Sequence, residues 1–201
     1  MSDFAGWETS AETGKGQGMA RIYMVRHGRA AAGFGEDMDP GLDALGRQQA
    51  DAVAEQLKGL GPRLILSSPL RRTRETAAPL ATLWSRTPVI EHAVAEIPSP
   101  KGVGLEERVV WLRKLMAGSW RDVTPELAEW REACVAAVAR LGEDAVVFSH
   151  YVAINVLMGA ATGDHRVVCF SPENCSVTVF DNAGGLRLLE KGSEASLTKV
   201  N

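Results

Sequence analysis

Residues 21–28, Arg-Ile-Tyr-Met-Val-Arg-His-Gly, join a short apolar run to a basic triplet that ends in glycine. A short apolar run bounded by polar residues is typical of a buried β-strand. From Ala20 onward, similar short runs alternate with longer amphipathic segments. This alternation is the pattern expected when helices cross between parallel strands, and it predicts an α/β sandwich.

The chain divides into six strand-like and five helix-like segments. Strands are predicted at residues 21–25, 63–66, 89–90, 145–148, 176–180 and 186–189. Helices are predicted at residues 42–60, 70–84, 105–116, 124–141 and 154–161. The last two strands are interpreted as a closing hairpin, and the apolar stripe of residues 124–141 as ordinary core packing.

Polar residues follow three of these predicted strands. Arg26-His27-Gly28 follows the first strand, Ser67-Ser68 leads from the second toward Arg72, and Ser149-His150 follows the fourth. The carboxyl ends of parallel strands lie along one edge of a sheet, and ligands bind in the crevice there. We therefore expect His27, Arg72 and His150 to converge from distant positions in the chain.

The charge of this cluster indicates the class of ligand. Two arginines and two histidines repel a divalent cation and attract a dianion, because guanidinium groups match phosphate oxygens in a bidentate way. A phosphate ester fits such a pocket. The alternative is a zinc or iron site on the two histidines, which needs a third donor and no flanking cations. We rank phosphate well above it and expect neither a metal nor a cofactor.

His27 is the predicted nucleophile, because histidine titrates near neutral pH and nearby positive charges keep its ring neutral. A neutral ring nitrogen attacks phosphorus in line, while Arg26, Arg72 and His150 hold the phosphoryl oxygens. The leaving alkoxide also needs a proton. Glu96 is the candidate acid, on a loop expected to lie over the pocket.

These residues resemble the signature segments of the histidine phosphatase (phosphoglycerate mutase-like) superfamily. Arg26-His27-Gly28 is similar to its RHG motif, and residues 67–77 resemble its S-x-L-x-R-A-x-x-T-A segment, which assigns the second arginine to Arg72. Residues 45–50 and 146–150 resemble its helix start and the strand carrying its second histidine. The likeness covers roughly residues 20–190. It implies a three-layer α/β/α sandwich with a mainly parallel central sheet, and a reaction that passes through a phosphohistidine.

Three positions depart from the family pattern. Arg29 stands where a glutamate often follows RHG, Gly33 replaces an asparagine that binds phosphate in many members, and Tyr151 replaces the glycine after the second histidine. Arg29 is interpreted either as a further phosphate ligand or as a solvated loop residue. Three other glutamates lie close enough in sequence to compete with Glu96 for the acid's role, namely Glu91, Glu106 and Glu107.

Composition bounds the remaining possibilities. The 22 Lys and Arg residues nearly balance the 25 Asp and Glu residues, so no nucleic acid or membrane partner is expected. The three cysteines show no metal-ligand spacing and favour a reducing compartment, which predicts a cytoplasmic protein. Residues 1–18 lack apolar periodicity and are predicted to be a flexible tail before a single domain over residues 19–201.

The leading prediction is a phosphatase acting on a small phosphate ester or a phosphoprotein. A phosphoglycerate-type phosphomutase is the alternative within the enzyme class. A non-catalytic module that binds phosphate or a phosphoprotein is the alternative outside it. The closing hairpin also suggests a homodimer formed edge to edge.

Overall fold

The computed structural model describes residues 19–33 and 35–195, so the tail predicted at residues 1–18 lies outside the described residues. The strands are β1 Arg21–Arg26, β2 Leu64–Ser67, β3 Val89–Ile90, β4 Ala145–Ser149, β5 Val177–Asp181 and β6 Arg187–Glu190. The α-helices are α1 Ala44–Leu57, α2 Arg71–Trp84, α3 Leu105–Met116, α4 Pro125–Ala139 and α5 Tyr151–Thr162.

All six strands form one sheet in the order β3-β2-β4-β1-β5-β6. The four strands from β3 to β1 pair in parallel, and β5 joins the other side of β1 antiparallel. Because β5 and β6 also pair antiparallel, the predicted closing hairpin is present. The mainly parallel sheet expected from the sequence is confirmed.

Successive side chains of the central strands point to opposite faces of the sheet, which divides the core into two layers. On β1, Ile22 and Met24 face one core, whereas Tyr23 and Val25 face the other. The first core is completed chiefly by α4 and α5, and the second by α1 and α2. Side chains alternate between the two faces of a strand, so a strand that is apolar at every position is buried on both faces. Helices therefore cover both faces of the sheet, and the three-layer α/β/α prediction is confirmed.

Two helices differ from their predicted bounds by three residues at one end. The segment predicted at residues 42–60 is α1 followed by a 3-10 turn at Lys58–Leu60, and the Asp43 carboxylate caps its start by accepting from the Gly46 amide at 2.7 Å. The helix predicted at residues 154–161 begins at Tyr151. Its residues 152–159 are all buried, so the sequence lacks the alternation of polar and apolar faces that would indicate where the helix begins. Within the described ranges, none of the helices combines the length and apolarity of a membrane span.

Candidate active site

The ends of β1, β2 and β4 meet at one edge of the sheet. Arg26 is the register partner of Ser149, and the His27 amide donates to the Ser149 carbonyl at 3.0 Å. The Ser68 amide donates to the Phe148 carbonyl, also at 3.0 Å. Hydrogen bonds between neighbouring strands thus hold the residues that follow the three strands side by side. The predicted convergence of polar groups is present.

His27 lies in this edge with 8% of its surface exposed. Its Nδ1 is 2.8 Å from the carbonyl oxygen of Gly28. A carbonyl oxygen accepts only, so Nδ1 carries the proton and Nε2 keeps its lone pair. Burial lowers the pKa of His27 well below its ordinary value, and the charges of Arg26 and Arg72 lower it further. The ring is therefore neutral, and burial is the main cause. The sequence predicted that the flanking positive charges would be the cause.

His150 is fully buried beside it. The two ring centroids are 5.2 Å apart, with the rings inclined by 59°. His150 Nε2 lies 2.7 Å from Ser68 Oγ, whereas Nδ1 is buried without a hydrogen-bond partner among the described residues. Burial first, and then His27, Arg72 and Arg26, lower the pKa of His150 well below its ordinary value. The site thus contains two neutral imidazoles, each with one ring nitrogen free of a partner among these residues.

Two arginines approach the histidines from different elements. The Arg26 Nη1 donates to the Pro172 carbonyl at 2.8 Å, and its guanidinium lies 5.0 Å from the centre of the Tyr151 ring. Arg72, in the first turn of α2, has 6% of its surface exposed. Burial lowers the pKa of both guanidinium groups, and the negative charge of Glu96 opposes this in each case. The charge of Glu96 thus acts on both guanidinium groups, and the charge of Asp39 acts on Arg72 as well.

Glu96 lies in the loop after the 3-10 turn at His92–Val94 and is partly buried. Burial raises its pKa above the ordinary value, against a 3.1 Å hydrogen bond from the Ile97 amide and the charges of Arg72 and Arg26. A raised pKa favours the protonated form, which a general acid requires.

The competing glutamates have other partners or lie in solvent. Glu91 accepts from the Ala93 amide at 2.9 Å, and Glu107 accepts from the Gly104 amide at 3.2 Å. Glu106 is exposed on α3. Of the four glutamates, Glu96 is the one whose charge acts on Arg26 and Arg72.

Arg29 has a different partner. Its guanidinium pairs with Asp43 at 2.5 Å, and more than half of its side chain is exposed. The same Asp43 carboxylate caps α1 through the Gly46 amide. Arg29 therefore ties the loop after β1 to the start of α1. The structure brings together Arg26, Arg72, Glu96 and the two histidines, and places the Arg29 guanidinium on Asp43 instead.

Gly28 and Gly46 let that loop approach the helix closely. A side-chain carbon added to Gly46 would lie 2.1 Å from the Arg29 carbonyl oxygen, and one added to Gly28 would lie 2.5 Å from the Gly46 carbonyl oxygen. Real side chains do not come so near to a backbone atom. The glycine after His27 thus permits a close backbone approach to α1.

Three further residues of the site were not identified from the sequence. Arg108 on α3 is 8% exposed, and its charge acts on both Glu96 and Arg72. Asn174 donates to the His27 carbonyl at 2.8 Å, and Ser68 contacts His150. Arg108 adjoins two glutamates and resembles an exposed helix residue. Only the Ser68 position, in the segment that also contains Arg72, carried a signal.

The cluster has an excess of positive charge that suits a phosphoryl dianion. In the part of the chain that the structure describes, the charges of Arg26, Arg72 and Arg108 are opposed by Glu96 and, at Arg72, also by Asp39, while the histidines are neutral. Among the described residues, no group of three or more His, Cys, Asp or Glu side chains is arranged to hold a metal ion. Two guanidinium groups close to an imidazole lone pair are an arrangement that can bind a phosphoryl group and orient it for attack by nitrogen.

Comparison with known proteins gives a consistent family. A family model described as the histidine phosphatase superfamily (branch 1) matches residues 22–192. Probable phosphoglycerate mutase GpmB of Salmonella arizonae is 31% identical over 164 residues, which cover 72% of this chain and 76% of that protein. The PE-PGRS family protein PE_PGRS11 of Mycobacterium tuberculosis is 42% identical over 90 residues, but these are only 15% of its own length.

Solved structures share the fold at lower sequence identity. A mycobacterial glucosyl-3-phosphoglycerate phosphatase superposes with a TM-score of 0.68 at 22% identity, covering 88% of this chain and 99% of that one. A phosphoserine phosphatase of Entamoeba histolytica superposes with a TM-score of 0.66 at 22% identity, covering 89% and 98%. Both neighbours are phosphatases by name, and at this identity the likeness concerns the fold.

Proposed function

The chain belongs to the histidine phosphatase superfamily, and on this basis we propose that it hydrolyses a phosphate monoester through a phosphohistidine formed on His27. The observation that carries the proposal is the state of the His27 ring. Its Nδ1 proton is donated to the Gly28 carbonyl at 2.8 Å, which leaves the Nε2 lone pair close to the guanidinium groups of Arg26 and Arg72.

In the first step, Arg26, Arg72 and His150 hold the phosphoryl oxygens while His27 Nε2 attacks phosphorus. The bond from phosphorus to the ester oxygen breaks, and this oxygen takes the proton of Glu96. In the second step, the Glu96 carboxylate removes a proton from water as the water oxygen attacks phosphorus. Inorganic phosphate leaves, His27 regains its lone pair, and Glu96 is protonated again.

Arg29 is not assigned to the phosphate in this scheme. Its guanidinium is held by Asp43 in a largely exposed ion pair. We propose that it stabilises the loop after β1. Arg108, by contrast, adds positive charge to the site, since its guanidinium interacts with Glu96 and Arg72.

A small phosphate ester is the proposed substrate class. The structural neighbours named above are a glucosyl-3-phosphoglycerate phosphatase and a phosphoserine phosphatase, both of which act on small phosphorylated acids by name. A phosphoprotein remains the alternative substrate. Release of phosphate from phosphoserine against release from a phosphorylated peptide distinguishes the two.

The second candidate function is phosphoryl transfer between hydroxyl groups. It is favoured by the likeness to a protein described as a probable phosphoglycerate mutase. A mutase would interconvert 2- and 3-phosphoglycerate without net release of phosphate, and a phosphatase would release phosphate from either. A binding module would do neither and would retain phosphate affinity after His27→Ala.

The test is release of phosphate from an aryl phosphate in EDTA, measured from pH 5 to pH 8 for the parent and His27→Ala. His92→Ala, which removes an exposed histidine, is the matched control. We expect turnover by the parent and control only, and a protein-bound phosphate on His27 that is stable to alkali and labile to acid. Equal turnover by His27→Ala would sink the proposal, and turnover that requires added metal would contradict its metal-free chemistry.

We further propose a cytoplasmic location and a homodimer. The location is supported by Cys134, Cys169 and Cys175, which are all free thiols. Recovery of the protein in the membrane or extracellular fraction would contradict it. The dimer is supported by the position of β6 at an edge of the sheet. A monomer in light scattering at micromolar concentration would exclude it.

A further inference from the structure

The contact between Ser68 and His150 determines which nitrogen of the second histidine carries a proton. Ser68 Oγ lies 2.7 Å from His150 Nε2, and both residues are fully buried. The geometry alone allows either atom to be the donor. The other partners of the hydroxyl group decide between the two.

Within the described part of the chain, Ser68 Oγ has one further partner, the amide of Leu70 at 3.2 Å. An amide N–H only donates, so Ser68 Oγ accepts this hydrogen bond with one of its lone pairs. Among the described residues, His150 Nε2 is then the acceptor within reach of the Ser68 hydroxyl proton. The alternative, in which Nε2 donates to Ser68, leaves that buried hydroxyl proton without an acceptor and costs free energy.

We infer that Ser68 is a positioning residue that holds His150 as the Nδ1–H tautomer, so that a neutral imidazole donates a hydrogen bond to the phosphoryl group. This inference rests on the proposed function. His150 Nδ1 is buried and has no partner among the described residues, as expected of a donor whose acceptor is a ligand. The two histidines would then be opposite tautomers. Gly28 leaves a lone pair on His27 Nε2, and Ser68 leaves a proton on His150 Nδ1.

The tautomer matters because the site opposes a positively charged His150. The groups that face it are His27 and Arg26 from the end of β1, Arg72 from α2, and the Ser68 hydroxyl. Burial and these neighbours lower the pKa of His150 well below its ordinary value. A neutral ring in the other tautomer would point a lone pair at a phosphoryl oxygen. By donating to Nε2, Ser68 keeps the proton on His150 Nδ1, so that a neutral ring can still donate to the phosphoryl group.

The direct test is the tautomer of His150, measured by long-range proton–nitrogen NMR on protein labelled with nitrogen-15 at histidine. His150→Asn identifies the His150 signals among the four histidines. We expect the parent to carry its proton on Nδ1, and Ser68→Ala to shift the population toward Nε2–H. An Nε2–H tautomer in the parent, or an unchanged tautomer in Ser68→Ala, would overturn the inference.

The functional test is affinity for inorganic phosphate by calorimetry, together with kcat/KM for an aryl phosphate. Loss of one hydrogen-bond donor is expected to lower both by roughly tenfold in Ser68→Ala. Ser67→Ala is the matched control, because Ser67 is equally buried but its hydroxyl donates to the Ser68 carbonyl at 2.9 Å. We expect Ser67→Ala to retain both values.

A double-mutant cycle separates positioning from simple structural support. In His150→Asn the side-chain amide supplies a donor at the Nδ1 position without any tautomer. We therefore expect Ser68→Ala to cause no further loss in the His150→Asn background. A further tenfold loss there would show that Ser68 acts through the loop and not through His150. If the parent releases no phosphate at all, the proposed function fails, and the NMR and phosphate-affinity measurements still decide the role of Ser68.

Discussion

Acidification should destabilise this protein through its two buried histidines. His27 is 8% exposed and His150 is fully buried, and burial is the main reason that the pKa of each lies well below its ordinary value. A histidine with a lowered folded-state pKa binds fewer protons when folded than when unfolded. Its stabilising effect is complete above the unfolded pKa, near 6.5, and is lost as the pH falls toward the folded pKa.

The expected size follows from proton linkage. If a histidine stays neutral in the folded chain, lowering the pH from about 7.5 to about 5.5 costs about 1.4 kcal/mol. Two such histidines therefore cost about 3 kcal/mol, a large part of the 5–15 kcal/mol typical of a folded domain. Glu96 acts in the opposite direction. Because burial raises its pKa, acidification stabilises the folded state through this group.

Urea denaturation followed by circular dichroism at the two pH values measures the effect. We expect His150→Asn to lose about half of the pH dependence, and Glu96→Gln to steepen it by removing the opposing group. His165→Gln, which replaces an exposed histidine, is the control and should behave like the parent. Equal stability of the parent at both pH values would refute the role given to burial. So would a pH dependence of stability in His150→Asn as large as that of the parent.

Three shorter predictions concern the loop and the acid. Gly46→Ala should lower the free energy of unfolding, measured in urea, by about 3 kcal/mol, because the added carbon lies 2.1 Å from the Arg29 carbonyl oxygen. Glu96→Gln should lower kcat/KM far more for an alkyl phosphate than for an aryl phosphate, since only the alkoxide needs a proton to leave. Arg29→Ala should keep aryl phosphate hydrolysis and shift the urea midpoint little, because its ion pair with Asp43 is largely exposed.

Each of these has an opposing outcome. Gly59→Ala is the control for Gly46→Ala, since nothing lies within 4 Å of a carbon added there. Alanine favours a helix more than glycine does, so helix propensity cannot cause a loss in either variant. An equal loss in both would contradict the close approach as the cause. Equal losses of alkyl and aryl hydrolysis in Glu96→Gln would remove Glu96 from the acid's role. A large loss of phosphate affinity in Arg29→Ala would return Arg29 to the ligand set.

The sequence predicted the fold well because the central strands are buried on both faces. Apolar residues fill β1 and β4, so their position is clear without any alignment. The parallel order of β1, β2 and β4 then requires that the residues following them meet. For this reason the convergence of His27 and His150 and the placement of Arg72 in the first turn of α2 follow from short-range patterns.

Parts of the site depend on contacts that no local pattern encodes. Arg108 follows two glutamates on α3, yet tertiary packing buries it next to Glu96. The Arg29 guanidinium was an open question between phosphate and solvent, and a third partner, Asp43, holds it. Such outcomes are decided by side chains distant in sequence. Composition and periodicity do not determine them.

The pairing of β1 with β4 also has a consequence for local opening of the molecule. The His27 amide donates to the carbonyl of Ser149, the residue before His150, so adjacent strands of the sheet set the distance between the two rings. The histidines cannot separate unless the middle of the sheet opens. Exchange of the His27 amide hydrogen with heavy water should therefore be as slow as exchange from the core of β4. The loop that carries Glu96 has no such ladder, and its amides should exchange earlier, so that the acid is lost from the site before the nucleophile.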